Sequence, residues 1–241
     1  MRILDAGDPR GARARFLATI SRLESGHDRP ARLCEACVEV LAVERAAIAV
    51  QVDSAGLEIL CASDSIAEKV EWAQITLGEG PGVEAVATGG PVLVADLLDP
   101  RGRWPNFAAE AAKSGVGAMY SFPLEVGAIK AGVLDLYRDD PEPMDNNDFG
   151  DAVAVAELLT AILLTVGRTG RISASLGPWW DQPLSTREVH QATGMIIAQL
   201  GVSAHEAFVR MQGFAFSNGR MLSEVAQAVV RRELRFDGEN R

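Results

Sequence analysis

The chain has 241 residues, of which 48% are apolar, and it carries 33 acidic against 23 basic side chains for a formal net charge of −10. The apolar fraction excludes a disordered chain, and the length fits either one large domain or a medium domain followed by a small one. The negative charge excludes a protein that binds nucleic acid over its whole surface, because phosphates require locally positive charge.

The cysteine count and the apolar stretches indicate the cellular compartment of the protein. Three cysteines are too few for a disulfide scaffold, and an odd count leaves one thiol free, so a reducing environment is the simpler prediction. The N-terminus lacks the apolar run of a signal peptide. Residues 152–167 are the most apolar stretch, but they include Glu157 and are shorter than the roughly 20 residues of a membrane span. We therefore expect a cytoplasmic protein with no membrane contact.

Charge divides the chain into two parts. Residues 1–184 have a net charge of −11, whereas residues 185–241 have a net charge of +1. Two glycines and two prolines fall within residues 169–184, which show no sustained periodicity and are typical of a linker. We predict an N-terminal segment, a first domain, a linker, a second domain and a tail at residues 1–11, 12–168, 169–184, 185–236 and 237–241.

The first domain alternates helical and strand-like patterns. In chain order these predict helices at 12–24 and 30–43, strands at 46–52 and 57–62, helices at 65–73 and 83–88, a strand at 91–97, a helix at 108–113, strands at 119–126 and 130–137, and an apolar helix at 152–167. Such strands form one antiparallel sheet in an α+β domain. The last helix is apolar nearly all round, so both of its sides must be covered. We expect one side on its own domain and the other, near Leu159 and Leu163, on a partner chain.

The second domain has only helical patterns. Ser185 and Ser203 are each followed by a glutamate three residues on, the spacing of a capping box at a helix start. Gly201 ends the first of these helices, a turn at 218–219 ends the second, and apolar residues at helical spacing define a third at 222–229. Three short helices bury little surface, so we expect this bundle to pack against a partner.

Signatures of enzymes are weak. His205 begins a sequence like that of a zinc-protease helix, but Val209 stands where the second ligand is required. Cys34 and Cys37 have the spacing of a redox pair, yet they fall in the middle of an apolar helix stripe. Together with Cys61 they are best interpreted as small buried hydrophobes, and a metal site formed by the three is the alternative.

Two further features admit both a binding and a structural interpretation. The glycine-rich loop at 78–82 suggests a phosphate site, but Pro81 removes an N–H donor and Glu79 adds a repelling charge, which favours a tight turn into a helix. Trp179 and Trp180 in the linker could stack on bases. Packing against a helix of a dimer is the favoured use.

Two stretches resemble known domain families. The sequence LGEGPGVEAVATGGPVLVADL, followed by RWPNF and GAMYSFPLEVGAIKAGVLDLYRDDPEPM, resembles a GAF domain of the actinobacterial type. The sequence VHQATGMIIAQLGVSAHEAFVRMQGFAFSNGRMLSEVAQAVV resembles an ANTAR domain, the RNA-binding module of transcription antitermination regulators. The resemblance implies an α+β GAF domain, with flanking helices on an antiparallel sheet, followed by a small all-α three-helix ANTAR bundle.

This resemblance implies a signal-responsive regulator and no enzyme. The GAF domain would sense a small ligand or another cue, and the ANTAR domain would bind tandem RNA hairpins in leader transcripts as a homodimer. No cofactor is assigned. The implied RNA-binding residues are Thr193, Gly194, Arg210, Gln212, Phe214, Ala215, Phe216, Asn218 and Arg220. Phe214 and Ala215 are equally consistent with a place in the bundle core.

Three positions depart from the family patterns. Thr193 replaces a usual lysine and Gln212 a usual arginine, so two potential phosphate contacts are missing. The alternative function is therefore a GAF dimer whose C-terminal bundle serves only dimerisation or protein contact. Gly82 replaces a frequent cysteine, which argues against redox chemistry in that loop. A redox enzyme that uses Cys34 and Cys37 is the third alternative.

Overall fold

The computed structural model describes residues 9–23, 30–52, 56–98, 102–167 and 184–236. The predicted tail at 237–241 and most of the predicted N-terminal segment at 1–11 lie outside the described residues. So does the predicted linker at 169–184 apart from its last residue, and with it Trp179 and Trp180.

The described residues form two domains. The first contains α1 (Pro9–Leu23), α2 (Ala31–Val40), β1 (Arg45–Val52), β2 (Gly56–Ala62), α3 (Ser65–Leu77), α4 (Pro81–Thr88), β3 (Val92–Val94), α5 (Pro105–Ala111), β4 (Ala118–Val126), β5 (Ile129–Arg138) and α6 (Asn146–Gly167). The second contains α7 (Leu184–Leu200), α8 (Ala204–Ser217) and α9 (Leu222–Val230). Every predicted helix and strand is present with shifted ends, and the α+β class followed by a helical bundle is confirmed.

The five strands form one antiparallel sheet in the order β2-β1-β5-β4-β3. Alternating side chains of the central strands enter two separate apolar layers, because successive residues of a strand point to opposite faces. Gly132 on β5 lies opposite Val50, and a Cβ atom there would come within 2.0 Å of the backbone oxygen of Ala49. Only glycine allows β1 and β5 to approach this closely.

Helices cover both faces of the sheet. One apolar layer contains residues of α1, α2 and α6, and the other contains residues of α3, α4 and α5. Asp64 caps the start of α3 by accepting the N–H groups of Ile66 and Ala67 at 3.0 and 2.8 Å. The layer formed by α3 and α4 is the one that faces the second domain.

The second side of α6 is covered by α1 of the same chain. Leu159 and Leu163 are buried in the layer that also contains Phe16 of α1. Arg15 of α1 forms an ion pair with Asp151 of α6 at 2.9 Å. The prediction that Leu159 and Leu163 contact a partner chain is therefore wrong, because both side chains are already buried within this chain.

The second domain is a three-helix bundle that packs on the first. Ser203 caps α8 by accepting the N–H of Glu206 at 3.2 Å, as the sequence predicts, and Gly201 follows α7 with a φ of +67°. The bundle core continues into the first domain, where Ile59, Trp72 and Ile75 join the same apolar cluster. The partner that this small bundle requires is thus the chain's own first domain.

The cysteines differ from their predicted state. Cys34 on α2 and Cys61 on β2 form a disulfide with Cα atoms 6.4 Å apart, inside the usual range. Cys37 is free, and burial raises the pKa of its thiol. Burial of all three is confirmed, but the sequence does not predict the pairing because its partners are 27 residues apart and meet only when α2 packs on β2.

Within the described ranges, no helix combines the length and the apolarity that a membrane span requires. The same ranges contain no group of three or more histidine, cysteine, aspartate or glutamate side chains arranged to hold a metal ion.

Candidate functional site: the bundle surface and the domain interface

Two hydrogen bonds attach the bundle to the C-terminal half of α3. The Gln212 side-chain amide donates to the Ile75 carbonyl at 2.7 Å. The Leu222 backbone N–H donates to the Thr76 hydroxyl at 3.0 Å in a buried position. Leu222 is the first residue of α9, whose N–H has no partner inside its own helix, so Thr76 caps this helix from the other domain.

Two further polar contacts attach α7 to β2. The Thr186 hydroxyl donates to the Ile59 carbonyl at 3.5 Å, and the His190 Nε2 atom lies 3.0 Å from the Glu58 carboxylate. The hydrogen bond to Glu58 raises the pKa of His190, and burial opposes this rise. Glu58 is buried, and His190 gives its carboxyl group a hydrogen-bond partner at the domain interface.

Four of the residues implied in RNA binding have exposed side chains or open positions. Arg210 is exposed and forms an ion pair with Glu206 at 2.7 Å, one helical turn away. Phe216 is 53% exposed, which is unusual for an aromatic ring. Asn218 is exposed and donates to the Phe214 carbonyl at 2.8 Å, which closes the end of α8. Gly194 is exposed on α7, with open space at its Cβ position.

Two more of these residues are half-buried and bonded within the bundle. The Thr193 hydroxyl donates to the Val189 carbonyl at 2.7 Å, along its own helix. The Arg220 guanidinium donates to the Glu224 carbonyl at 3.1 Å, near the start of α9. Each bond joins residues four positions apart in the chain, so these side chains lie at the edge of the bundle surface.

The remaining three of the residues implied in RNA binding pack or bond against other parts of the protein. The ring of Phe214 is half-buried and stacks edge-on against Phe236, with ring centres 5.4 Å apart. Ala215 is completely buried, which favours the core interpretation of this residue. Gln212 bonds to the first domain through Ile75. The side chain of Gln212 therefore serves the domain interface in this chain.

A buried polar cluster lies between the sheet and the α3 and α4 helices. The Glu71 carboxyl accepts hydrogen bonds from Tyr137 and, at 3.1 Å, from the Gln74 amide. The same amide donates to Asp135 at 3.1 Å, and the Gln74 oxygen accepts the Gly82 N–H at 2.7 Å. Burial raises the pKa of Glu71 well above its usual value, with a further rise from the Asp135 charge, and burial also raises the pKa of Asp135. Burial and mutual repulsion therefore favour the protonated form in this pair of carboxyls.

This cluster accounts for the glycine-rich loop. A Cβ atom on Gly82 would lie 2.5 Å from an Asp135 oxygen, so no side chain fits there. The Glu79 carboxylate accepts the N–H groups of Asn106 and Phe107 at 2.7 and 2.8 Å and caps α5. The loop leads into α4 at Pro81, as the tight-turn interpretation predicts.

A cleft of about 500 Å³ lies where the two domains meet. The first domain contributes residues of the β1–β2 hairpin, α3, α4 and β5, and the second contributes one face of α8. Lys130 of β5 lines the cleft, and its ammonium group donates to the carbonyls of Val86 and, at 3.1 Å, Ala87. Sequence patterns missed this site and the Thr76 and His190 contacts, because their residues come from distant segments.

Comparisons with known proteins agree with both domains. The ANTAR domain family matches residues 183–230. No curated protein sequence matches the chain significantly.

Solved structures match the fold of the first domain. The GAF domain of a phosphoenolpyruvate-protein phosphotransferase from Coxiella burnetii is 12% identical, with a TM-score of 0.51, over 68% of this chain and 99% of that one. The equivalent GAF domain from Acinetobacter is 12% identical, with a TM-score of 0.51, over 66% and 96%. A free methionine-R-sulfoxide reductase from Neisseria meningitidis, which is an enzyme, is 19% identical over 67% and 93%, with a TM-score of 0.47. A GAF-like domain therefore precedes an ANTAR domain in this chain.

Proposed function

We propose that this chain, in which a GAF-like domain precedes an ANTAR domain, is a signal-responsive, RNA-binding regulator of transcription antitermination. The first domain senses a small ligand or another cue, and the second binds tandem RNA hairpins in leader transcripts. The active form is a cytoplasmic homodimer without enzymatic activity. The single observation that carries this proposal is the ANTAR match at residues 183–230.

The surface of the bundle supports RNA binding. Phe216 offers an exposed ring on which an unpaired loop base can stack, and Asn218 beside it presents an exposed polar side chain. Arg210 and Arg220 supply cations for phosphates or base edges, although RNA must compete with the carboxylate of Glu206 for Arg210. With Thr193 and Gln212 uncharged, we expect affinity to depend on these two arginines.

The domain interface supports signal transfer. The bundle is attached to α3 and β2 through contacts from all three of its helices. A change in the first domain that moves either element therefore alters how the bundle is held. We propose that regulation shifts the chain between this arrangement and one in which these contacts are broken.

The test is a gel shift with tandem hairpins selected by the wild-type protein from a library with randomised loops. Arg210→Ala and Arg220→Ala should each weaken binding and reduce the slope of log affinity against log salt by about 1. Lys113→Ala is the matched control, because Lys113 is an exposed cation of the first domain. We expect it to leave both quantities unchanged.

The alternative function predicts a different result. If no tandem hairpin is enriched and no salt-dependent binding occurs, the bundle serves only dimerisation or protein contact. The observation that favours this alternative is that Gln212 is used to hold the first domain.

A further inference from the structure

The interior of the first domain is closely packed around Gly82 in the buried polar cluster. A methyl group on Gly82 would already contact the Asp135 carboxyl and, at 3.1 Å, the Gln74 amide. The apolar side chains of α3, α4 and α5 pack around this cluster against the sheet. Protein atoms thus occupy the space beside Gly82.

The cleft between the domains has the properties of a ligand site. Its volume of about 500 Å³ falls in the range of small-molecule pockets, about 300 to 1,000 Å³. Apolar side chains dominate its walls, among them Leu57, Ile75 and Val86 of the first domain and Phe208 and Val209 of α8. Val209 is 46% exposed, so an apolar surface faces this space.

The polar groups that line the cleft favour a negatively charged ligand. Lys130 and His205 line it, and the described lining residues include no carboxylate, although the first part of the chain is strongly acidic. An ammonium group has three donors, and carbonyls at the end of α4 accept two of those of Lys130. These bonds hold the group in place, and one N–H remains for an acceptor.

We propose that this interdomain cleft binds a small, largely apolar monocarboxylate, with its carboxylate on Lys130 and its apolar part between α3, α4 and α8. This proposal names the class of ligand for the proposed sensory role. It rests on the proposed function for that role and not for RNA binding. A ligand that contacts α4 and α8 together binds the docked arrangement of the domains and stabilises it by mass action. The ligand would then contact the RNA-binding domain directly.

The test uses the full chain without RNA, so its outcome is independent of whether the bundle binds RNA. Octanoate is titrated by calorimetry, and octanamide serves as the uncharged match. We expect one octanoate per chain, weaker binding of octanamide, and slower hydrogen exchange of α8 when octanoate is bound.

Variants locate the site. Lys130→Met should weaken octanoate binding by about tenfold or more, the effect of losing one charged hydrogen bond, and should weaken octanamide binding less, because a neutral carbonyl is the weaker acceptor. Val209→Trp should fill the cleft and abolish binding of both molecules. Val126→Trp is the matched control, because Val126 is 57% exposed at the end of β4 and does not line the cleft, and it should bind as the wild type does.

Three results would overturn the proposal. One is the absence of octanoate binding at millimolar concentration, and another is equal affinity for octanoate and octanamide. The third is an equal loss of binding in the two tryptophan variants. Lys130 is exposed, so its variant tests the site even if Val209→Trp does not fold.

Discussion

The hydrogen bond from Leu222 to Thr76 offers the sharpest perturbation of the domain interface. Thr76→Val keeps the size and shape of the side chain but removes the only acceptor described for the Leu222 N–H. Both residues are almost fully buried, so water does not replace the bond while the domains stay docked. A buried N–H without a partner costs about 1 to 3 kcal/mol, which is roughly a five- to 150-fold loss in the docking equilibrium.

Hydrogen exchange measured by mass spectrometry reports this weakening of domain docking directly. In Thr76→Val, peptides that cover the start of α9 should exchange faster by roughly the same factor. Thr160→Val is the matched control, because this buried threonine donates only to a carbonyl of its own helix, α6. If exchange at α9 is unchanged in Thr76→Val, or rises equally in Thr160→Val, the cap does not hold the domains together.

Three further outcomes follow from particular contacts. The pKa of His190 is raised above 6.5 in the docked state, so its ion pair with Glu58 stabilises docking fully below that pH and the contribution is lost as pH rises through the raised value. Exchange protection at α7 should therefore fall with rising pH in the wild type and become flat in His190→Gln. Gly82→Ala should lower the free energy of unfolding in urea by about 1 to 3 kcal/mol, since the added methyl meets a buried carboxyl oxygen, whereas Gly90→Ala has open space and should be neutral. Leu159→Ala should cost about 2 to 5 kcal/mol by the same method with no change of oligomeric state by light scattering, and conversion to a folded monomer would contradict its place in the core.

Local patterns were sufficient for the elements of the fold. Runs of apolar and β-branched residues predict β1, β2, β4 and β5, because a strand that has an apolar layer on each face is apolar along most of its length. The edge strand β3 is shorter than predicted, since only Val92–Val94 pairs with β4. The α3 helix is longer than the predicted 65–73, because Ile75 and Thr76 find their partners in the second domain. Sequence periodicity carries no information about such distant partners.

The candidate site was predicted less completely for the same reason. The sequence places Arg210, Phe216 and Asn218 on the second helix of the bundle and its turn, and these side chains lie at the bundle surface. It marks Gln212 only as a departure from a family pattern, whereas its role at the interface depends on the Ile75 carbonyl 137 positions away. The burial of Ala215 likewise depends on packing between the three helices.

The most direct test of antitermination is transcription in vitro from a template whose leader contains the selected tandem hairpins and an overlapping terminator. We expect that wild-type protein raises readthrough of the terminator and that Arg210→Ala combined with Arg220→Ala does not, while Lys113→Ala acts as the wild type. Unchanged readthrough at protein concentrations that saturate the hairpins would contradict a role in antitermination.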